Sequence, residues 1–384
     1  MIFTYKKLLA AAVLAGSLPA AHAADIKLGV AEALSGGAAQ YGVAIRNGFQ
    51  LAADEINAAG GINGNKLALV IEDEQGKKEE AINVFKKLIF QDKVLMTFGP
   101  TLSNSAQAAD PIAQAGKTVA FGTSNTADGI TSIGNYVFRN SVTEADVLPA
   151  TLKMAMDKAG VKKVAVLYGN DDVFTKSGYD NFKKALEDLK IPVTTTETFA
   201  KGDVDFKAQL TKIKGTNPDA IVLSALLAEG GPIMVQARQI GLNVPFIGGN
   251  GMNSVKIFDL APGAASNDLW IGSPWSIENP APENTKFIGA YKAKYNAAPD
   301  QFAAQAYDAM HIVAEALKKT KLTGDLNADR AALRETLPGV TWTGATGAFK
   351  FRQAKDRAGK PAGYDAEQAP IVSVTKDGKY VIVK

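Results

Sequence analysis

The sequence contains no cysteine among its 384 residues and only two histidines, His22 and His311. The absence of cysteine excludes a disulfide framework, a thiol nucleophile and a lipidated membrane tether, and it leaves no His/Cys cluster for zinc. A serine-type triad would need a histidine, but His311 lies in a helical pattern beside Met310 and Val313, where packing is the better interpretation. We therefore expect a protein that is not an enzyme and that uses no cofactor or metal.

The sequence also lacks a strong charge bias and a membrane-spanning run. There are 42 basic and 39 acidic residues, which gives a formal charge of +3 at pH 7. The basic residues are dispersed among acids rather than gathered in a stripe that would bind nucleic acid. No apolar stretch reaches the ~20 residues that cross a bilayer without a charge or a glycine. We expect neither a nucleic-acid partner nor direct insertion into a membrane.

The first residues have the pattern of a secretory signal peptide. Lys6 and Lys7 precede an apolar run over residues 8–15, and an Ala-His-Ala sequence follows, as signal peptidase requires. A buried apolar helix is the alternative, but the short core and the two flanking features favour export. We predict that residues 1–23 are a signal peptide cleaved after Ala23. The mature chain would have 361 residues, a net charge of +1 and a periplasmic location.

From Asp25 onward, short apolar runs alternate with longer segments of helical spacing, which is typical of α/β units with parallel sheets. A chain of this length exceeds the ~250 to 300 residues at which one core usually splits, so two domains are expected. The pattern predicts an α/β fold with two doubly wound lobes. The runs that predict strands are IKLGVAE, KLALVIED, VLMTFG and KTVAFG, followed by KKVAVLY, PVTTTETF, DAIVLSALL and PFIGG.

The last third of the sequence indicates how the lobes connect. Two long helical patterns predict a return to the first lobe, and the chain ends in GAFKF and a hairpin with Asp377 and Gly378 at its turn. Such crossings would give hinge connections and a ligand cleft that closes by rotation. The predicted division is residues 24–141 and 276–350 in the first lobe, and residues 142–275 and 351–384 in the second.

Two polar loops follow predicted strands of the first lobe, at the sheet edge where open α/β sheets bind ligands. Ser103 follows Gly99-Pro100 and opens a helix whose free N–H groups and dipole favour an anion such as a carboxylate. Simple capping of that helix by Ser103 is an equally common alternative. The neighbouring loop brings Ser124, Asn125 and Thr126 to the same edge, which strengthens the anion hypothesis.

Other motifs have ordinary interpretations. The acidic runs 72–74 and 171–172 lack the spacing of a calcium loop, so we interpret them as solvated loop ends. The glycines of GGNGMN do not form GxGxxG, so a nucleotide is not indicated. Tyr41 would supply an aromatic wall to the site, or else a simple staple at the start of a helix. Trp275 would add a second aromatic surface near the lobe crossover.

At these residues the chain resembles the leucine/isoleucine/valine-binding protein family, the type I periplasmic binding proteins (Venus-flytrap proteins) of branched-chain amino-acid ABC importers. The resemblance implies capture of a small carboxylate ligand, by family a branched-chain or related amino acid, and its delivery to an ABC permease with ATPase subunits. We expect a monomer. The motifs that carry the resemblance, in chain order, are IKLGVAEALSGGAAQYG, INAAGGINGNKLALVIEDEQ, GPTLSNSAQAA, YGNDDVFTKSG and PDQFAAQAYDAM.

The resemblance implies ligand-binding roles for residues of both lobes. In the first lobe, Ser103 and Thr126, with backbone groups near Ser124, would hold the ligand carboxylate. The ligand side chain would be lined by Tyr41, Thr101 and Leu102. In the second lobe, positions that the family's amino-acid binders fill with Tyr, Tyr and Glu are occupied by Phe174, Leu226 and Asn250.

The residue at position 250 leaves the ligand class open. A buried ammonium group needs a nearby anion or several acceptors to offset its desolvation, and Asn250 offers one neutral carbonyl. The ligand is therefore either an amino acid or an aromatic or aliphatic carboxylic acid that lacks an amine. A ligand sensor with the same fold is a third alternative, but the export signal and the absence of a fused output domain favour transport.

Overall fold

The computed structural model describes residues 25–384, so the predicted signal peptide lies outside the described residues. The strands of this range are β1 (Ile26–Glu32), β2 (Leu67–Asp73), β3 (Met96–Phe98), β4 (Ala120–Gly122), β5 (Val137–Arg139), β6 (Val164–Gly169), β7 (Val193–Phe199), β8 (Ala220–Ser224), β9 (Phe246–Gly248), β10 (Leu269–Ser273), β11 (Thr341–Gly344), β12 (Gly347–Lys355), β13 (Pro361–Glu367), β14 (Ile371–Lys376) and β15 (Lys379–Ile382). The α-helices are α1 (Ala39–Ala58), α2 (Lys78–Lys86), α3 (Ser103–Ala115), α4 (Glu144–Ala159), α5 (Val173–Asp188), α6 (Lys207–Gly215), α7 (Leu227–Gln239), α8 (Ile257–Leu260), α9 (Pro282–Tyr295), α10 (Gln301–Lys319) and α11 (Leu326–Thr336).

The strands form two sheets, one in each lobe. The first has the order β11-β12-β13-β5-β4-β3-β1-β2, and the second has the order β15-β14-β10-β9-β8-β6-β7. Strands β1 to β5 run parallel in the first sheet, and β6 to β10 run parallel in the second. Among the strands of residues 25–384, the antiparallel pairs lie towards the sheet ends formed by the last third of the chain. The predicted α/β fold with two parallel sheets is confirmed.

Helices cover both faces of the first sheet, because its central strands are apolar on both sides. On one face, Leu28 and Val30 pack in a core with residues of α1 and α10. On the other face, Ala31 and Ala120 pack with α2 and α3. Helix α10 begins at a strong cap, since the Asp300 carboxylate accepts hydrogen bonds from the backbone N–H groups of the first turn. This doubly wound arrangement aligns the carboxyl ends of β1, β3 and β4 at one edge.

The chain crosses between the lobes after β5, after β10 and after β13. The chain returns to the first lobe after β10, since α10 packs along α1. The predicted boundary at residue 351 is wrong, because β12 and β13 pair with the first sheet, and only β14 and β15 belong to the second. β12 and β13 form a hairpin, and β13 pairs with β5. A division at residue 351 would cut this hairpin.

The predicted terminal hairpin is present as β14 and β15, with Asp377 and Gly378 both at positive φ in its turn. Such a turn matches the twist of an antiparallel pair. Within residues 25–384, every helix is too short or too polar to span a bilayer.

Candidate functional site

A cavity with about 310 Å³ of atom-free space lies between the two lobes, where the carboxyl ends of the parallel strands of both sheets face each other. All the residues predicted for the site line it, with the exception of Thr126. Phe302 and Gly251 also line it, and neither was predicted for the site. The residues around the cavity are Tyr41, Thr101, Leu102, Ser103, Ser124, Phe174, Leu226, Asn250, Gly251 and Phe302.

The loop after β3 is held tightly against the end of β1. Gly99 has a φ of 93°, and a Cβ there would lie 2.0 Å from the carbonyl oxygen of Ala31, so only glycine fits this turn. The Thr101 hydroxyl donates a hydrogen bond to Glu32 and accepts one from the N–H of Ala33 at 2.9 Å. The side-chain hydroxyl of Thr101 therefore anchors the loop. Thr101 still lines the cavity, but with its other atoms rather than with this hydroxyl.

Ser103 begins α3, but it does not cap it. The N-cap residue is Leu102, which has an extended backbone and no side-chain capping bond. The Ser103 hydroxyl oxygen instead accepts a hydrogen bond from the N–H of Ala127 at 3.2 Å, in the loop after β4. The alternative of simple helix capping by Ser103 is therefore wrong. Its hydroxyl proton is free to point into the cavity, next to the unpaired first N–H groups of the helix.

The loop after β4 is fixed by a buried arginine that sequence reasoning did not select. Arg139, at the end of β5, is 2% exposed, forms an ion pair with Asp365 at 2.7 Å and donates to the carbonyl oxygens of Asn125 and Ala127. The Ser124 hydroxyl donates to the carbonyl of Thr101 at 2.7 Å, which joins the two loops. The signal in the sequence was an arginine at the end of a short apolar strand, since a charged side chain buried in that place needs a partner.

Thr126 lies in the same loop but does not line the cavity. It is 1% exposed, and its hydroxyl has no hydrogen-bond partner among the described residues. An unsatisfied buried hydroxyl costs about 1–3 kcal/mol. A ligand group that reached this hydroxyl would recover that cost.

Tyr41 joins the lobes across the cavity. Its hydroxyl donates a hydrogen bond to the carbonyl of Gly251 at 2.9 Å and accepts one from the N–H of Leu227 at 2.7 Å. Its ring meets Phe302 edge-on, with centroids 4.8 Å apart. Burial raises the pKa of the Tyr41 hydroxyl above its ordinary range, so the proton stays on the oxygen. The role of Tyr41 exceeds that of a helix staple, since both hydrogen bonds reach the second lobe.

The second lobe contributes mostly apolar groups. Phe174 stands in the first turn of α5, Leu226 is the N-cap residue of α7, and Asn250 follows β9. Gly251 must be small, because a Cβ there would lie 2.8 Å from the Phe174 ring. The cavity thus has a hydroxyl-rich wall from the first lobe and an apolar wall from the second.

A second bridge shows that the lobes are closed on each other. The Asn104 side chain donates to the Asp172 carboxylate at 2.7 Å and accepts from the N–H of Val173 at 2.8 Å. Asp172 is 3% exposed and caps α5, and Glu74 is fully buried. The interpretation of the two acidic runs as solvated loop ends is therefore wrong for these two residues.

Three buried carboxyl groups lie one layer behind the cavity walls. Burial raises the pKa of Glu32 well above its ordinary value and that of Glu74 to about 7. Both stand behind the hydroxyl-rich wall. At neutral pH Glu32 is uncharged and Glu74 is partly protonated, which reduces their repulsion of an anionic ligand there. The third, Glu144, lies behind Asn250 and accepts a hydrogen bond from its side-chain N–H at 2.9 Å. Sequence reasoning missed Glu144, because nothing local predicts contact between α4 and the loop after β9.

The remaining candidates lie away from the cavity. His311 stacks on Trp342 with ring centroids 5.2 Å apart, and burial lowers its pKa to about 4, so it is neutral at pH 7. Trp275 is not an aromatic wall of the site, because its indole N–H donates to Asn284 at 2.6 Å within the lobe crossover. In the part of the chain that the structure describes, no three acidic or histidine side chains are grouped to hold a metal ion.

Comparison with known proteins gives matches over nearly the whole chain. The family model of a periplasmic binding protein matches residues 25–378. A leucine-, isoleucine-, valine-, threonine-, and alanine-binding protein from Pseudomonas aeruginosa is 31% identical over 352 residues, which are 91% of this chain and 92% of the relative.

Solved structures agree with the two-lobed architecture. A branched-chain amino acid transporter substrate binding protein from Streptococcus pneumoniae, in complex with isoleucine, has a TM-score of 0.83 and 32% identity, covering 94% of this chain and 99% of that one. A solute binding protein of an ABC transporter from R. palustris, in complex with benzoate, has a TM-score of 0.81 and 25% identity, covering 94% and 95%. These matches confirm the predicted fold class.

Proposed function

The chain belongs to the periplasmic binding protein family, as its motifs predicted, and we propose that it captures a small carboxylate ligand for an ABC importer. The preferred ligand is a branched-chain amino acid such as leucine, isoleucine or valine. The relatives support this proposal, since the Pseudomonas protein is named for such amino acids and the Streptococcus protein holds isoleucine.

The observation that carries the proposal is the polarity of the cavity. One wall presents the Ser103 hydroxyl at the opening of α3, together with Ser124. The buried and unsatisfied hydroxyl of Thr126 belongs to the residue before Ala127, whose N–H binds Ser103. A carboxylate placed there would accept charge-assisted hydrogen bonds and would face the positive end of a helix dipole. The opposite wall, with Phe174 and Leu226, would take an aliphatic side chain. Leu102 would complete the side-chain pocket, and Asn250 would face the ligand amine.

A carboxylic acid without an amine is the second candidate. The residues that face the cavity carry no anionic side chain, which an ammonium group would prefer as a partner. The R. palustris relative holds benzoate, a ligand of this class. The two candidates therefore differ in a single chemical group, and matched ligands separate them.

We also propose that the protein is exported, is cleaved after Ala23, is a monomer and has no catalytic activity. Tyr41 and Asn104 supply hydrogen bonds that exist only when the lobes are closed. Closure is the change that a permease with ATPase subunits would read, so the energy for transport would come from the importer rather than from this chain. Intact mass of the protein from a periplasmic extract tests the cleavage site, since it should correspond to residues 24–384.

Calorimetric titration of the mature protein tests the ligand class. Leucine, 4-methylpentanoate and leucinamide form a matched set, because the second lacks the amine and the third lacks the carboxylate. We expect binding of leucine and no binding of leucinamide. Benzoate, isoleucine and valine extend the set. If 4-methylpentanoate and benzoate bind and leucine does not, the second candidate replaces the first; if no acid produces heat or a thermal shift, both are wrong.

A further inference from the structure

Glu144 is a buried carboxyl group whose bonding is only half satisfied. It is the first residue of α4, and its side chain turns toward the loop after β9 in the second lobe. Its Oε1 atom accepts hydrogen bonds from the side-chain N–H of Asn250 at 2.9 Å and from the backbone N–H of Asn250 at 3.2 Å. Its Oε2 atom is buried and has no partner among the described residues.

The surroundings of Glu144 offer no permanent counter-charge. Asp128 is the charged group of the described residues that acts on it, and Asp128 is itself negative. The other charged groups at the start of α4 are already paired, since Asp146 binds Arg352 and Arg139 binds Asp365. A carboxylate in such a place is costly unless a positive charge arrives from outside the protein.

Asn250 separates Glu144 from the cavity. Because its side-chain N–H donates to Glu144, the amide is oriented with Oδ1 on the other side, and Asn250 lines the cavity. Within residues 25–384, Oδ1 accepts no side-chain hydrogen bond. An ammonium group bound at Oδ1 would donate to the amide of Asn250, and the same amide donates through its N–H to the Glu144 carboxylate. Aligned hydrogen bonds of this kind strengthen each other.

We propose that Glu144, acting through Asn250, is the counter-charge by which this cleft selects ligands that carry an amine. The ligand amine stays protonated, and the Glu144 carboxyl releases its proton to solvent when such a ligand binds. This inference rests on the proposed function, and it resolves the choice between the two ligand classes in favour of the amino acid. It also explains how a neutral Asn stands where the resemblance implies a Glu.

Replacement of Glu144 by glutamine separates this role from a structural one. Glu144→Gln keeps the volume and a carbonyl oxygen that can accept both hydrogen bonds of Asn250, but it removes the charge. We expect the affinity for leucine to fall about 10- to 50-fold, while that for 4-methylpentanoate stays the same or improves. Asp157→Asn, an exposed carboxylate on the same helix, is the matched control and should change neither affinity.

A double variant restores the charge one layer closer to the ligand. In Glu144→Gln/Asn250→Glu the cleft again has a single buried carboxyl on this wall, and we expect the preference for leucine over 4-methylpentanoate to return. If Glu144→Gln weakens both ligands by the same factor, Glu144 only positions the loop and the proposal is wrong.

Proton release is a second readout, and it needs no variant. Burial raises the pKa of Glu144 to about 8, and a bound ammonium group would lower it. Leucine binding at pH 7 should therefore release protons, seen as binding heats that differ between buffers of different ionisation enthalpy. Leucine affinity should rise between pH 6 and 8, and the affinity for 4-methylpentanoate should not.

The outcomes separate this inference from the function on which it rests. Absence of proton release with leucine, or binding of 4-methylpentanoate without leucine, overturns the role of Glu144 and leaves capture of a carboxylate standing. Failure of every acid to bind overturns both.

Discussion

Removal of the Tyr41 hydroxyl isolates the contribution of lobe closure to binding. In Tyr41→Phe the ring keeps its contact with Phe302, but the bonds to the Gly251 carbonyl and the Leu227 N–H are lost. A hydrogen bond contributes about 0.5–1.5 kcal/mol net, so the two together stabilise the closed form by about 1–3 kcal/mol. Because ligand binding and closure are coupled, the affinity for leucine should fall by about 5- to 150-fold.

Calorimetry measures the affinity for leucine, and small-angle X-ray scattering measures lobe closure. The dissociation constant for leucine should rise, and the decrease in radius of gyration at a given leucine concentration should be smaller than in the wild type. Tyr179→Phe is the matched control, since Tyr179 stacks on Tyr168 on the second lobe and its hydroxyl forms no hydrogen bond among the described residues. A Tyr41→Phe protein that binds leucine within twofold of the wild type and closes normally would refute the reasoning.

Three further predictions follow from the first lobe. Ser103→Ala removes a donor to the ligand carboxylate, worth about 1.5–3 kcal/mol for a charged partner, so calorimetry should show leucine binding about 10- to 150-fold weaker, and Ser132→Ala should bind normally. Arg139→Gln breaks a nearly buried ion pair with Asp365, so urea denaturation should show a free energy of unfolding that is lower by about 3–5 kcal/mol. Arg352→Gln breaks a more exposed pair and should lower it by at most about 1 kcal/mol. The pKa of Glu74 is about 7 in the folded protein against an ordinary 4.5, so its contribution to stability is full below pH 4.5 and is lost as the pH rises through 7. The melting temperature of Glu74→Gln should therefore fall less between pH 5 and 8 than that of the wild type. An equal fall would contradict this assignment.

The strand pattern was readable from the sequence because parallel strands buried on both faces are continuous apolar runs. IKLGVAE and DAIVLSALL are of this kind, and they became β1 and β8. Strand β13 was not predicted, since PAGYDAE has the composition of a loop and becomes a strand only by pairing with β12 and β5. The predicted lobe boundary at residue 351 therefore left β13 outside the first lobe.

The site was predicted where local chemistry determines it. Loops after β3 and β4 must reach the same edge of a parallel sheet, so Ser103 and Ser124 meet at the cavity as expected. The separation of Thr126 from the cavity surface, and the use of the Thr101 hydroxyl by Glu32, depend on loop conformations that residue types do not specify. Phe302 escaped prediction because it reaches the cavity from α10, a helix of the first lobe that comes after β6 to β10 of the second lobe in the chain.

The sequence by itself determined the two-lobed α/β architecture and the hydroxyl-rich wall, since both follow from periodicity or from residue types at strand ends. The apolar wall of the second lobe followed from the resemblance, which placed Phe174 and Leu226 at the cleft. Only the tertiary structure decided what stands behind those walls. Asn250 alone indicates a neutral partner for an amine, whereas Asn250 in contact with Glu144 is backed by a buried carboxyl group. The two residues are far apart in the chain, and a contact of that kind is created by packing α4 against β9, which no local pattern encodes.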